Sequence, residues 1–347
     1  MKLLVSALEP SSNIHLKAML QHTHGIELNG IFDSSLGEPI CDISQMAIMG
    51  VSDVLKKISF FKKLLNDMSE QAAYVDKVLL MDSSGFNLPL AKKIKERYPD
   101  KEIIYYILPQ IWASRPKRVK KLELYCDKLL GILPFEIDYY KSGKARYVGH
   151  PLLDEIKVSN NAKNEGTTAF LPGSRKSEIQ RLFPVFKALK EKLPNKRSLL
   201  VVPAAFSKQK IEEYYGDTSG FELIQDTHQA LSQSEFAFIC SGTATLEATL
   251  IGTPFVLTYI TKKLDFFIGT KIFGIKQIGL ANIIFDKIDG SILHEEIVQG
   301  DVNVENLLSL YENMDRDAFL QKSKIIQKYL AHGSSKEVAN IIMEDRC

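Results

Sequence analysis

Phe236-Ala237-Phe238-Ile239-Cys240-Ser241-Gly242-Thr243-Ala244-Thr245-Leu246-Glu247 runs from an apolar strand through a Ser-Gly-Thr turn into a helix reaching about Leu250. Gly252-Thr253-Pro254 then leads into a further strand over 254–259. A strand, a short turn and a helix that returns to a neighbouring strand form the repeating unit of a parallel sheet. Working outward, the unit recurs. Upstream strands are predicted at 168–171, 198–202 and 222–224, and the end of the chain from about Val304 reads as helices. Earlier still, apolar runs at 2–7, 26–32, 78–82, 102–107, 128–132 and 145–148 alternate with helical patterns around 13–21, 51–74, 88–98, 115–124 and 135–140. Gly149-His150-Pro151 and the polar stretch 158–168 interrupt the alternation and read as a linker. The expectation is two α/β domains in tandem.

Length and composition agree. The chain has 347 residues, 45% of them hydrophobic and 25% charged, enough for two ordinary cores. Lys+Arg number 44 and Asp+Glu 42, for a net charge of +2, a balance that argues against a general nucleic-acid binder. Cys41, Cys126, Cys240 and Cys347 are far apart, which rules out a zinc ribbon and fits a reducing compartment. The start at Met1 resembles a signal peptide, but Glu9, Pro10 and Asn13 interrupt any apolar core, and residues 2–7 are read as a strand. No apolar run approaches the ~20 residues needed to span a bilayer.

Ligands of open parallel sheets bind beyond the carboxyl ends of the strands, so the strand-to-helix turns carry the candidate chemistry. The Gly-x-Gly-x-x-Gly and Walker patterns are both absent, which counts against dehydrogenase and P-loop readings. The Ser241-Gly242-Thr243 turn presents backbone N–H groups at a helix start, a natural phosphate cradle; the same turn also serves as a plain N-cap. Leu171-Pro172-Gly173-Ser174-Arg175 ends the first strand of the second domain, where Arg175 can fork onto a phosphate or pair with Glu178. Pro184, inside the following helical pattern, is expected to kink or restart that helix. In the first domain Asp82 ends a buried strand before the turn Ser83-Ser84-Gly85-Phe86-Asn87, and Glu9 ends the first strand on the same side of the sheet. Two carboxylates at neighbouring strand ends suit proton transfer, although a lone aspartate there also makes a turn cap.

A basic amphipathic pattern follows Val51. Val51, Val54, Leu55, Ile58, Phe61 and Leu65 recur at helical spacing, Phe60 and Leu64 widen the stripe, and Lys56, Lys57, Lys62 and Lys63 are interspersed. Such a helix lies on an anionic membrane or packs an apolar face into a core. Phe266, Phe267, Ile268, Ile272 and Phe273 with Lys262, Lys263, Lys271 and Lys276 form a similar stretch, and Arg115, Lys117, Arg118, Lys120 and Lys121 a basic cluster. His22-x-His24 lacks further ligands, so no metal site is expected.

Met46-Ala47-Ile48-Met49-Gly50, Leu108-Pro109-Gln110-Ile111-Trp112-Ala113, Lys117-Arg118-Val119, Leu133-Pro134-Phe135-Glu136, Gly149-His150, Leu171 to Arg175, Ser241 to Glu247 and Asn282 occur in one order along most of the chain. Together they resemble the lipid-A-disaccharide synthase family, inverting glycosyltransferases of the GT-B fold. The resemblance implies two Rossmann-like domains with parallel sheets facing an inter-domain cleft. It assigns 1–155 to an acceptor and membrane-side domain and 165–320 to a nucleotide-sugar domain, with helices at 321–347 packing back toward the first. It implies a UDP-diacylglucosamine donor, a diacylglucosamine 1-phosphate acceptor and a β(1→6) disaccharide product. The expected setting is the cytoplasmic face of the bacterial inner membrane, with no cofactor, no obligatory metal and no nucleic acid.

By the same resemblance Asp82 is the candidate base with Glu9 beside it, Arg175 meets the donor diphosphate, and Ser241, Gly242 and Thr243 cradle phosphate. Glu247 stands where related enzymes bind ribose hydroxyls, and Asn282 stands near the donor. Ile58, Phe60, Phe61, Lys62 and Lys63 are the candidate membrane or acyl-chain contacts. The chain departs from the family pattern in two places. Its first loop, Leu8-Glu9-Pro10-Ser11-Ser12-Asn13, lacks the family's glycines and aspartate, and Gly85 replaces the second aspartate of Asp-x-Pro-Asp-Phe-Asn. Another UDP-sugar enzyme of the same fold, or a non-catalytic binding module, remains open at this point.

Overall fold

A computed structural model describes residues 1–43, 54–112, 116–156, 166–240, 242–262 and 277–344, with side chains in the second stretch described from residue 58 onward. The chain divides into two compact units, Met1–Glu155 with Leu330–Cys347, and Ile156–Tyr329.

Among its described residues the first unit holds seven strands: β1 (Lys2–Ala7), β2 (Glu27–Phe32), β3 (Cys41–Asp42), β4 (Lys77–Met81), β5 (Glu102–Tyr106), β6 (Lys128–Gly131) and β7 (Ala145–Tyr147). They form one parallel sheet in the order β3-β2-β1-β4-β5-β6-β7. The central strands are covered on both faces, so they read as largely apolar runs. Their side chains still alternate in destination. Leu4, Val78, Leu80, Ile103 and Tyr105 enter one core, while Leu3, Val5, Leu79, Met81, Ile104 and Tyr106 enter the other.

Helices α1 (Pro10–Leu20), α2 (Val54–Gln71), α3 (Ser84–Arg97) and α4 (Arg118–Tyr125) belong to this unit. So does a short α5 (Leu152–Glu155). Helix α3 begins four residues before the predicted start. Ser84, Gly85 and Asn87 are turn formers by composition, but burial of Phe86, Asn87 and Leu88 extends the helix to the strand end.

The second unit holds β8 (Thr167–Leu171), β9 (Arg197–Val201), β10 (Glu222–Ile224), β11 (Phe236–Cys240), β12 (Phe255–Tyr259) and β13 (Glu296–Val298), all parallel, in the order β10-β9-β8-β11-β12-β13. Helices α6 (Lys176–Glu191), α7 (Lys208–Tyr215), α8 (Thr227–Gln233), α9 (Ala244–Ile251), α10 (Leu280–Asp289), α11 (Val304–Asn313) and α12 (Arg316–Leu330) connect and cover the strands. Phe170, Phe186, Phe236 and Phe238 build an aromatic centre, with Phe170 and Phe238 stacked at 5.3 Å. Helix α6 continues through Pro184 as one element, because Ile179, Leu182, Phe183, Phe186 and Leu189 are buried on either side of it.

Helix α12 is fastened to the second unit: Ser323 Oγ donates to the carbonyl of Thr249, and Gln327 Nε2 donates to that of Leu250 at 2.6 Å. The return to the first unit therefore falls at Leu330 rather than at 321. Helix α13 (Ser335–Met343) then covers one face of the first sheet with Val338, Ala339, Ile341 and Ile342. Both its ends are held by charge. Asp154 Oδ2 accepts from the backbone N–H groups of Ser334 and Ser335, each at 2.9 Å. Lys77 Nζ donates to the carbonyls of Ile342, at 2.8 Å, and Glu344. A carboxylate at the N-terminus and an ammonium at the C-terminus match the helix dipole.

Candidate active site

Each sheet reverses its winding at one place, between β1 and β4 in the first and between β8 and β11 in the second. The crevice outside the carboxyl ends at such a point is where open parallel sheets take ligands. The sequence-predicted site turns fall at these two points.

In the first unit Glu9 follows β1 at the N-cap position of α1, with extended backbone and an exposed side chain. Asn13 Nδ2 fixes the turn by donating to the carbonyls of Ala7, at 2.8 Å, and Glu9, at 2.9 Å. Strand β4 ends at Met81. Asp82 and Ser83 then take left-handed backbone conformations, with φ of +49° and +30°, before α3 begins. Non-glycine residues in this region are strained and persist only where the surroundings hold them. Ser83 Oγ donates to Glu9 Oε1 at 3.3 Å, so the two predicted carboxylates stand at adjoining turns. Partial burial pushes the Asp82 carboxyl above the ordinary aspartate range. The Ser83 N–H works against that shift, the charge of Glu9 adds to it, and His15 opposes it. His15 lies on α1 and pairs with Glu155 at 2.7 Å. The Arg118 guanidinium donates to Ser84 Oγ and places a cation beside the same turn.

In the second unit the turn after β8 packs against the end of β11. Gly173 has φ of +96°, and a Cβ there would lie 2.6 Å from Glu178 Oε2 and 3.2 Å from Cys240 Sγ. Only glycine allows this approach. Arg175 precedes α6. Its backbone N–H donates to Glu178 Oε2 at 3.3 Å and its Nη1 to Oε1 at 2.6 Å. The pairing with Glu178 that the sequence allowed is therefore present. A guanidinium carries five N–H donors, so one such bond does not exhaust it, and the Arg175 side chain is 79% exposed.

Across the crevice Gly242 has φ of +148° and open space where a side chain would stand. Thr243 is exposed and makes no capping bond, so it leaves the start of α9 open; Thr245 Oγ1 donates instead to the Gly242 carbonyl at 2.8 Å. Gly173, Ser174, Arg175, Gly242 and Thr243 line one cavity of about 360 Å³. Its far wall was not anticipated. Val202 and Pro203 follow β9, while Gln225 and Thr227 follow β10. The signal was the strand order, which puts the ends of β9 and β10 beside that of β8.

A family model for lipid-A-disaccharide synthetase matches residues 3–342. The lipid-A-disaccharide synthase of Helicobacter pylori (strain HPAG1) is 47% identical over 351 residues, covering 97% of each chain. That of Campylobacter jejuni subsp. jejuni is 42% identical, covering 98% of this chain and 99% of the relative. The chain belongs to the lipid-A-disaccharide synthase family. It is a glycosyltransferase that forms the lipid A disaccharide. Among solved structures it resembles the UDP-GlcNAc 2-epimerase of Neisseria meningitidis bound to UDP-GlcNAc, with a TM-score of 0.63, 13% identity, and coverage of 99% of this chain and 100% of that one. It also resembles the glycotransferase of kitacinnamycin, with a TM-score of 0.60, 14% identity, and coverage of 98% and 97%. At such identities the likeness concerns the fold, which is GT-B.

Glu247, Asn282 and Gly85 are the remaining positions of the family pattern. Glu247 is half-buried in the first turn of α9 and does not line the cavity. Asn282 is held at the start of α10. It is 1% exposed, and its Nδ2 donates to the His294 carbonyl and to Glu296 Oε1, each at 2.9 Å. Its Oδ1 accepts from the backbone N–H groups of Leu293, at 2.8 Å, and His294, at 3.1 Å. These bonds fill the capacity of the amide, so Asn282 fastens α10 to the chain entering β13. Gly85 is exposed in the first turn of α3.

Ser241 lies outside the described residues, as do 46–50, Ala113, Arg115, most of the 158–168 stretch, the 263–276 stretch and the side chains of Lys56 and Lys57. Within α2, Leu64 and Met68 are buried, and Phe60 and Phe61 pack partly against the core, with Phe61 6.0 Å from the ring of Phe86. Ile58 is 59% exposed, and Lys62 and Lys63 are exposed. Among the described residues no helix is long and apolar enough to cross a membrane.

Proposed function

We propose that the enzyme transfers diacylglucosamine from a UDP-linked donor to the 6-hydroxyl of diacylglucosamine 1-phosphate, with inversion and release of UDP. The observation that carries this reading is the carboxylate turn of Asp82, held strained and half-buried at the switch point of the first sheet beside Glu9. A sugar hydroxyl is far too weak an acid to attack unaided at neutral pH, so a base must take its proton. As the acceptor oxygen bonds to the anomeric carbon, its proton passes to Asp82. The bond from that carbon to the diphosphate oxygen breaks on the opposite face, and its electron pair leaves with UDP. An environment that raises the affinity of Asp82 for a proton makes it a better base than an exposed aspartate.

The donor belongs to the second unit in this reading. Its diphosphate lies against Gly242, Thr243 and the start of α9, with Arg175 reaching it through its free donors. Fixed N–H groups and a guanidinium stabilise the charge that grows on UDP as it leaves. The exposed face of α2 at Ile58, Lys62 and Lys63 supports attachment to an anionic membrane surface from the cytoplasmic side, where acyl chains are delivered at ~0.8 kcal/mol per buried methylene. Phe60 and Phe61 serve that attachment less, since they also pack inward.

Asp82→Asn tests the base. UDP affinity should stay within twofold of the wild type while turnover of defined acyl-sugars to disaccharide and UDP falls by about 100-fold or more. Near-normal turnover in this variant would remove Asp82 from the role and turn attention to Glu9→Gln.

A further inference from the structure

Asp82 and Ser83 occupy left-handed conformations that ordinary side chains avoid, so something outside the turn must hold them. The groups that do so converge on the main-chain oxygen of Asp82. Asn87, wholly buried in the first turn of α3, donates from Nδ2 to the carbonyls of Met81, at 2.9 Å, and Asp82, at 3.1 Å. The Tyr105 hydroxyl, at the next strand, donates to the same Asp82 carbonyl. Ser6, wholly buried in β1, donates to Asn87 Oδ1 at 2.6 Å and so fixes which way the amide faces. The backbone N–H of Asn87 closes the turn from the other side by donating to the Ser83 carbonyl at 3.1 Å.

We infer that Asn87, oriented by Ser6 and assisted by Tyr105, is the positioning residue that sets the direction of the Asp82 carboxylate. The inference rests on the reading of Asp82 as the base. Both Nδ2 bonds go to main chain and Oδ1 accepts from Ser6, so Asn87 makes no bond to the reacting carboxylate. Its action is to keep Asp82 from relaxing into the extended backbone region, which would rotate the side chain out of the switch-point crevice. The arrangement ties three neighbouring strands, β1, β4 and β5, to one peptide. Tyr105 is fully buried, and that burial holds its hydroxyl in the neutral, donating form.

The test uses the full-length enzyme with defined donor and acceptor, reading kcat and KM across pH. Asn87→Leu keeps the shape and removes the amide; Ser6→Ala frees the amide to turn; Tyr105→Phe removes the second donor to Asp82. Asp82→Asn is measured beside them. Displaced carboxylates cost reactions steeply, so kcat of Asn87→Leu should fall roughly 10- to 100-fold with the donor KM within twofold. The acidic limb of the kcat profile should move to lower pH, because a carboxylate released toward water and away from Glu9 and His15 loses the burial that raises its proton affinity. Ser6→Ala and Tyr105→Phe should move both readings the same way by less. If Asn87→Leu does not fold, these two variants decide on the same readings. An unmoved acidic limb in every variant, with kcat unchanged or falling only in step with thermal stability, overturns the positioning role while an inactive Asp82→Asn leaves the base standing. An active Asp82→Asn overturns the base, and the positioning role with it.

Discussion

Replacing Glu136 by glutamine isolates one buried proton in the first unit. Glu136 is 1% exposed, and its Oε1 accepts from the backbone N–H groups of Ile132, at 2.6 Å, and Leu133, at 3.0 Å, where the chain leaves β6. Phe135, beside it, meets the Trp112 ring at 5.4 Å, so this turn and the one after β5 share a wall. Burial pushes the Glu136 carboxyl up to about 8, against the two N–H bonds, which pull it down. The folded protein therefore keeps the proton through neutrality, while the unfolded chain releases it near the ordinary glutamate value of about 4.5.

The sign follows from proton counting. Between those two values the folded state binds more protons than the unfolded one, so stability falls as pH rises, and beyond the upper value the loss is complete. Full difference in occupancy costs about 1.4 kcal/mol per pH unit. From about pH 5.5 to about pH 7.5 the loss assigned to this group is then roughly 3 kcal/mol. Glutamine keeps an oxygen to accept the same two N–H bonds and never ionises, so Glu136→Gln should lack this slope. Urea unfolding of both proteins across that range checks it, and the difference between them cancels every other titrating group. The variant should gain on the wild type steadily with pH. Parallel stability curves would show that Glu136 is ionised in the folded protein and would refute the reasoning.

Arg175→Ala should weaken UDP binding about 10- to 100-fold by calorimetry, the range for losing a hydrogen bond to a charged group; unchanged affinity would reject its contact with the diphosphate. Gly173→Ala puts a methyl 2.6 Å from Glu178 Oε2 at a φ of +96°, so Glu178 must shift and the Arg175 pair with it. UDP affinity should fall at least about 10-fold, with stability lower by roughly 1–3 kcal/mol in thermal melts, and a variant that binds UDP normally would show that the turn adapts. Ile58→Ser with Lys62→Gln and Lys63→Gln leaves the packed Phe60 and Phe61 in place and should reduce co-sedimentation with anionic vesicles; full retention would assign the exposed face of α2 to solvent.

The central strands were legible because burial on both faces makes them mainly apolar: β1, β4, β5 and β11 hold apolar runs within a residue or so of the predicted limits, with polar residues only at Lys2, Ser6, Lys77 and Glu102. Strands β3 and β13 were not anticipated. They are two and three residues long at sheet edges, and runs as short as Cys41-Asp42 and Glu296–Val298 carry no pattern that distinguishes them from loop. The switch-point turns were legible for the same reason as the strands, since topology fixes where a ligand can approach and Gly173 to Arg175 and Gly242-Thr243 fall there. What a polar side chain does once buried was not legible. Asn282 and Asn87 read alike in a sequence, each an amide in the first turn of a helix, and the resemblance alone gave one of them a place near the donor. Their partners separate them. Asn282 spends all its bonds on the chain from Leu293 to Glu296. Asn87 spends both donors of its amide on the peptides at Met81 and Asp82, which the fold would not otherwise hold in a left-handed turn. An amide that satisfies an unstrained loop contributes stability; one that satisfies a strained loop also chooses a direction for the side chain there, and that direction is what a proton transfer needs.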